Sequence, residues 1–97
     1  MKINKIKGTI DYFGDQLNGY RYIESVAKSI CRSHGFKEVM LPTFEATELF
    51  VRGVGEGSDI VSKEMYTFLE KKKKSITLRP EGTAGVTRWY VENKMYV

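Results

Sequence analysis

Apolar positions change their spacing several times along the chain, and each change marks an element. From Lys5 to Tyr12, polar and apolar residues alternate weakly, which suits a short edge strand or an extended arm. After Gly14, the residues Tyr20, Ile23, Val26, Ala27, Ile30 and Cys31 recur at spacings of three and four and so form one stripe of a helix over 15–34. Asp15 supplies a cap or a first-turn charge, and Gly35 a left-handed terminator after His34. Phe36 to Leu41 reads as a short apolar strand that Pro42 ends or leaves at an edge. A second helix is predicted over 47–52, broken by Gly53, Gly55 and Gly57, with Ser58-Asp59-Ile60-Val61 able to cap a further single turn. The runs 65–69 and 75–78 are strand-like and flank a charged loop, as in a hairpin. From Thr83 to about Met95, Val86, Trp89, Tyr90 and Met95 give a last helix its apolar face, which Gly85 weakens. This order predicts an α+β fold, a mainly antiparallel sheet with flanking helices.

Length and composition narrow the picture. At 97 residues the chain holds one domain at most, and 41% hydrophobic with 29% charged residues is a globular balance. One cysteine and one histidine exclude a disulfide scaffold and a thiolate zinc module. No apolar run approaches the roughly 20 residues of a membrane-spanning helix, and the N-terminus leads into no signal-peptide core; a cytoplasmic protein without membrane contact is expected. The charge is 16 Lys+Arg minus 12 Asp+Glu, or +4. Lys71-Lys72-Lys73-Lys74 accounts for all of it, since 12 minus 12 leaves zero. The basic character is therefore one local patch, either a solvated turn or an attractor of phosphate chains.

Most candidate motifs reduce to structure. Gly53-Val54-Gly55-Glu56-Gly57 lacks the spacing of a dinucleotide loop and the Lys-Ser/Thr of a P-loop, and Glu56 and Asp59 repel phosphate. His34 in a last helical turn complements the dipole, and Cys31 on the apolar stripe reads as a small core residue. No metal site is expected. Arg79-Pro80-Glu81-Gly82-Thr83 is more informative. Pro80 stops a strand, Glu81 stands at the strand-to-helix junction, and Thr83 offers a hydroxyl at the helix cap. Such a carboxylate either receives a cationic amine or only satisfies the helix dipole, and Gly82 leaves room for a ligand beside the backbone.

The strings Thr47-Glu48-Leu49-Phe50, Arg52, Val54-Gly55-Glu56, Ser58-Asp59-Ile60-Val61, Lys63-Glu64-Met65-Tyr66-Thr67-Phe68 and Leu78-Arg79-Pro80-Glu81-Gly82-Thr83-Ala84, in that order, resemble the N-terminal catalytic region of the histidyl-tRNA synthetases. Lys7-Gly8-Thr9-Ile10-Asp11 resembles that family's opening, with Lys7 in place of the usual Arg and Gly14 where Pro is common. Helix 15–34 through Pro42 resembles motif 1 of class II synthetases, a dimer-forming element. The resemblance implies that residues 1–97 are an N-terminal piece of a class II catalytic domain.

It further implies an ATP-dependent ligase that converts L-histidine and ATP to histidyl-adenylate and pyrophosphate, with Mg2+ assisting, and then transfers the histidyl group to tRNA(His). Glu81 would accept the α-amino group of histidine, with Gly82 and Thr83 completing that side of the pocket. The family's motif 2 arginine, motif 3 and anticodon-binding domain have no counterpart in these residues. The chain is therefore expected to be a fragment, without catalytic residues of its own and inactive alone, yet able to form the homodimer contact. Two alternatives stand beside this: the regulatory-subunit paralogue of ATP phosphoribosyltransferase, and a small RNA-binding or dimerisation module using the tetralysine.

Overall fold

A computed structural model describes residues 2–54 and 65–97. The expectations for Gly55, Glu56, Gly57 and the turn at Ser58–Val61 lie outside the described residues. The chain divides into two compact units, Met1–Glu38 and Val39–Val97.

The first unit is an arm followed by helix α1 (Gly14–Ser33). The arm is not a strand. It runs irregularly, with a turn in which both the backbone N–H and the hydroxyl of Thr9 donate to the Ile6 carbonyl. Helix α1 begins after Phe13 without a side-chain cap, so Asp15 acts through its first-turn charge. Its end follows the expectation closely. Gly35 takes φ +81°, Phe36 N–H donates to the Cys31 carbonyl at 3.0 Å, and Gly35 N–H donates to that of Arg32 at 3.1 Å. These two bonds satisfy carbonyls that the helix leaves open, and the left-handed residue between them suits a glycine. His34 closes the turn further, its Nδ1 lying 2.9 Å from the Ile30 carbonyl, which fixes that nitrogen as the donor. No residue of α1 is buried, and its stripe of Tyr20, Ile23, Val26, Ile30 and Cys31 is exposed.

In the second unit, β1 (Phe44–Ala46), β2 (Thr67–Leu69) and β3 (Ser75–Leu78) form an antiparallel sheet in the order β1-β3-β2. Helix α2 (Thr47–Val54) follows β1, and helix α3 (Thr83–Glu92) follows β3. The hairpin and both helices form where the periodicity places them, except that α3 ends at Glu92 instead of about Met95. The predicted strand over 36–41 does not form; the strand that pairs lies beyond Pro42. The ladder explains the displacement. β3 bonds to β1 on one side and β2 on the other, while the carbonyls of Leu41 and Pro42 accept from the Arg79 side chain at 3.1 and 3.3 Å. Pro42 has no N–H to offer a ladder.

Register fixes the two faces of this sheet. Glu45 and Thr67 both oppose Thr77, whereas Phe44 opposes Leu78 and Phe68 opposes Ile76. Since side chains alternate along a strand, Glu45, Thr67 and Thr77 share one face. Thr77 is fully buried there, and its hydroxyl lies 2.7 Å from that of Thr47 and 2.9 Å from that of Thr67. Thr47 also meets the Ser75 hydroxyl at 2.7 Å, so a chain of four hydroxyls ties the start of α2 to β3 and β2. Helix α2 packs on β3 and α3 and contributes Phe50, which is 3% exposed. On the other face the rings of Phe44 and Phe68 meet edge to face at 6.5 Å, and both remain exposed.

Candidate functional site

The strand-to-helix junction after β3 is built as a braced corner. Arg79 holds one side: its backbone N–H donates to the Thr43 carbonyl at 2.9 Å while its guanidinium reaches the carbonyls of Leu41 and Pro42. Pro80 then prevents β3 from continuing. Glu81 turns its carboxylate onto the start of α3, accepting from the N–H of Thr83 and, at 3.1 Å, from that of Ala84. These are helix-start donors without an intrahelical partner, and an anion there is favoured by the helix dipole.

The sequence reading gave the capping role to the Thr83 hydroxyl, and the structure reassigns it. Gly82 is the residue at the cap position, Thr83 is the first helical residue, and the carboxylate of Glu81 makes the capping bonds. A carboxylate with two acceptor oxygens reaches two adjacent N–H groups, which a hydroxyl at Thr83 does not. The Thr83 hydroxyl makes no hydrogen bond among the described residues. Gly82 has φ −101° and needs no glycine for its backbone, and among the described residues a Cβ built on it meets nothing within 4 Å. Glu81, Gly82 and Thr83 are thus brought together at one exposed corner.

Two residues that the sequence pattern leaves unremarked brace the other side. Glu45 on β1, 8% exposed at its side chain, faces Arg88 on α3 with Nε 2.8 Å from Oε1 and Nη2 3.1 Å from Oε2. The Nε–H is not aimed along the line to Oε1, so that contact is ionic rather than a second hydrogen bond. Arg88 also meets Glu92 at 2.8 Å. Bonding to Glu45 first and Glu92 second raises the guanidinium pKa above its ordinary value. Gly85 lets the helix approach: a Cβ there would lie 3.1 Å from Leu41 Cδ1 and 3.2 Å from Glu45 Oε2. The available signal was positional, since alternation from Phe44 puts Glu45 on the covered face and Arg88 lies one turn after Gly85.

The grooves along α1, one beside Ala27, Cys31 and Phe36 and one beside Tyr12, Leu17 and Ile23, share no residue with this corner. Among the described residues no three His, Cys, Asp or Glu side chains gather as a metal-binding group would. Among them, too, no helix is long and apolar enough to cross a membrane.

Comparison with known proteins gives this geometry its context. Residues 8–95 match the family model described as histidyl-tRNA synthetase. The histidine–tRNA ligase of Thermotoga sp. (strain RQ2) is 56% identical over 95 residues, covering 98% of this chain and 23% of that protein. That of Desulfitobacterium hafniense (strain Y51) is 55% identical over 96 residues, 99% of this chain and 23% of the relative. The crystal structure of apo Staphylococcus aureus histidyl-tRNA synthetase superposes with a TM-score of 0.83 at 41% identity, covering 98% of this chain and 22% of that one. A small antiparallel sheet with flanking helices, carried by this sequence, is part of a synthetase fold. The chain belongs to the histidyl-tRNA synthetase family, and it spans about 23% of the length of the relatives it matches.

Proposed function

We propose that this chain supplies the amino-acid side of a histidine-activating site, with Glu81 receiving the α-ammonium group of histidine. The observation that carries the reading is the fixed carboxylate: two backbone N–H groups orient it, and the space beside Gly82 is open. An ionised carboxylate offers about four lone-pair directions, so the capping bonds leave acceptor capacity for an ammonium with three donors. Hydrogen bonds between such charged partners are the stronger kind. Thr83, whose hydroxyl makes no hydrogen bond among the described residues, completes that side of the pocket on this reading.

The whole protein, on this reading, is an ATP-dependent histidine–tRNA ligase that forms histidyl-adenylate and passes the histidyl group to tRNA(His). ATP and its Mg2+ are co-substrates met by groups outside the described residues, and a cytoplasmic location goes with the role. The ligase names of the relatives favour it over the regulatory-subunit paralogue. Residues 1–97 correspond to part of the class II catalytic domain and by themselves carry out no histidine-dependent ATP–pyrophosphate exchange. The segment that resembles motif 1, helix 15–34 to Pro42, serves a homodimer, and the stripe of α1 within it is exposed. Sedimentation at high micromolar concentration is expected to show dimers.

The site itself is tested in a histidine–tRNA ligase that carries this chain as its matching segment. Glu81→Gln keeps the shape and removes the charge. Losing a charge-assisted bond of about 1.5–3 kcal/mol is expected to raise KM for histidine roughly tenfold to a hundredfold. KM for ATP is expected to stay nearly unchanged.

A further inference from the structure

The turn joining β2 to β3 concentrates all of the chain's net charge at one point. Lys71, Lys72, Lys73 and Lys74 are consecutive and exposed. Neighbouring Cα atoms lie only about 3.8 Å apart, so four ammonium groups repel one another within a single turn. The turn is nevertheless ordered. Glu70 N–H donates to the Lys74 carbonyl at 2.9 Å, Lys73 N–H donates to the Glu70 carbonyl at 2.8 Å, and Lys73 adopts φ +63°.

The adjacent acid does not relieve the charge. The Glu70 carboxylate accepts the backbone N–H groups of Lys72 and Lys74 at 2.7 and 3.2 Å, and so braces the turn instead of pairing with an ammonium group. Among the described residues none of the four side chains pairs with a carboxylate. Four other cations do have such a partner: Arg21 with Glu24, Lys28 with Glu38, Arg52 with Glu48 and Arg88 with Glu45. A hydrogen-bonded turn with four consecutive exposed cations, none paired with a carboxylate among the described residues, has a ready partner in a polyanion.

We propose that the Lys71–Lys74 turn is a contact for the phosphate backbone of RNA. The choice of RNA among polyanions rests on the synthetase reading. Lysines on a hydrogen-bonded tip match this chemistry because contacts to phosphates position a nucleic acid without reading its bases. Each neutralised phosphate releases condensed counterions, so the contact carries a defined salt signature.

The test uses the 97-residue protein and a fluorescein-labelled tRNA(His) transcript, with anisotropy followed as KCl rises. Binding at low salt is expected, with log K falling linearly against log[KCl]. Replacing Lys71, Lys72, Lys73 and Lys74 by Ala together is expected to flatten that slope by roughly two to four units, given about 0.7–0.9 per phosphate contact. The quadruple Arg variant is expected to retain both affinity and slope. Circular dichroism of both variants is expected to match the parent, which separates loss of contact from loss of fold. An unchanged slope in the Ala variant overturns the proposal, as does absence of binding by the parent at low salt. Binding to phosphatidylserine-containing vesicles with none to the transcript also overturns it, in favour of a membrane contact. The readout requires neither histidine nor ATP, so failure here is distinct from failure of the Glu81 site.

Discussion

Glu45 and Arg88 form a two-point ion pair that joins the edge strand β1 to helix α3, one turn beyond the corner that carries Glu81. Glu45 is almost fully enclosed and Arg88 is 29% exposed, so neither partner recovers full hydration if the other is lost. Arg88→Met is therefore expected to lower stability by about 1–3 kcal/mol, below the range for fully buried pairs because Arg88 is partly solvated. The double variant Glu45→Gln, Arg88→Met is expected to lose less than the sum of its parts. Urea midpoints at constant slope measure both. Removing Arg21, whose partner Glu24 is over half exposed, is expected to change little. The shift of Arg88 is upward, so the stability tied to its charge is present at neutral pH and lost only above the guanidinium's ordinary titration range.

Two helical glycines offer a matched comparison. Among the described residues a Cβ at Gly19 in α1 meets nothing within 4 Å, while one at Gly85 in α3 crowds Leu41 Cδ1 and Glu45 Oε2. Gly19→Ala is expected to gain about 0.5–1 kcal/mol from helix propensity alone. Gly85→Ala is expected to gain nothing or to lose stability, because Arg88 holds the Glu45 carboxylate in place. Equal gains at both sites, read from urea midpoints, count against close packing at Gly85.

Elements with a local cause were legible in the sequence. The stripe from Tyr20 to Cys31 and the terminator Gly35 fix α1 without help from the rest of the chain, and the lysine-tipped hairpin follows from its two flanking runs. Phe36 to Leu41 was misplaced because its apolar run meets the composition of a strand, while strand formation depends on a distant partner. That partner, β3, is taken by Phe44–Ala46 after Pro42. Glu81, Gly82 and Thr83 were found as a segment, yet the division of labour between carboxylate and hydroxyl depends on where the first helical N–H groups point. Glu45 and Arg88, 43 positions apart, carry no local signature that links them.

The end of α3 shows the same limit at a single residue. The helix stops at Glu92 instead of about Met95, and Lys94 takes φ +53°. Met95 N–H donates to the Tyr90 carbonyl at 2.9 Å and Lys94 N–H to that of Val91 at 3.1 Å, the same pair of bonds that closes α1. A lysine gives no sequence warning of a left-handed residue, whereas Gly35 does. Lys94→Gly is expected to raise stability by about 0.5–1 kcal/mol by removing the Cβ clash of that conformation. Lys94→Val is expected to lower it, since a β-branched residue fits there worst. Melting temperatures of the two variants should fall on opposite sides of the parent.

Glu81 carries two roles on one carboxylate, and its substitutions separate them. As the group that caps α3, it contributes to stability through its bonds to the N–H groups of Thr83 and Ala84. Glu81→Ala removes both acceptors and is expected to cost about 0.5–2 kcal/mol, seen in the melting temperature of the 97-residue protein. Glu81→Gln keeps one acceptor oxygen and the side-chain length, so the structural loss should be confined to about 0.3–1 kcal/mol from the dipole. Histidine recognition responds in a different proportion, because a neutral amide cannot receive an ammonium group as a carboxylate does. In the ligase carrying this segment, the Gln and Ala variants are therefore expected to lose histidine affinity to a similar extent, while their stabilities differ. A histidine KM that follows melting temperature across the two variants, with Gln near the parent value, would restrict Glu81 to the helix cap.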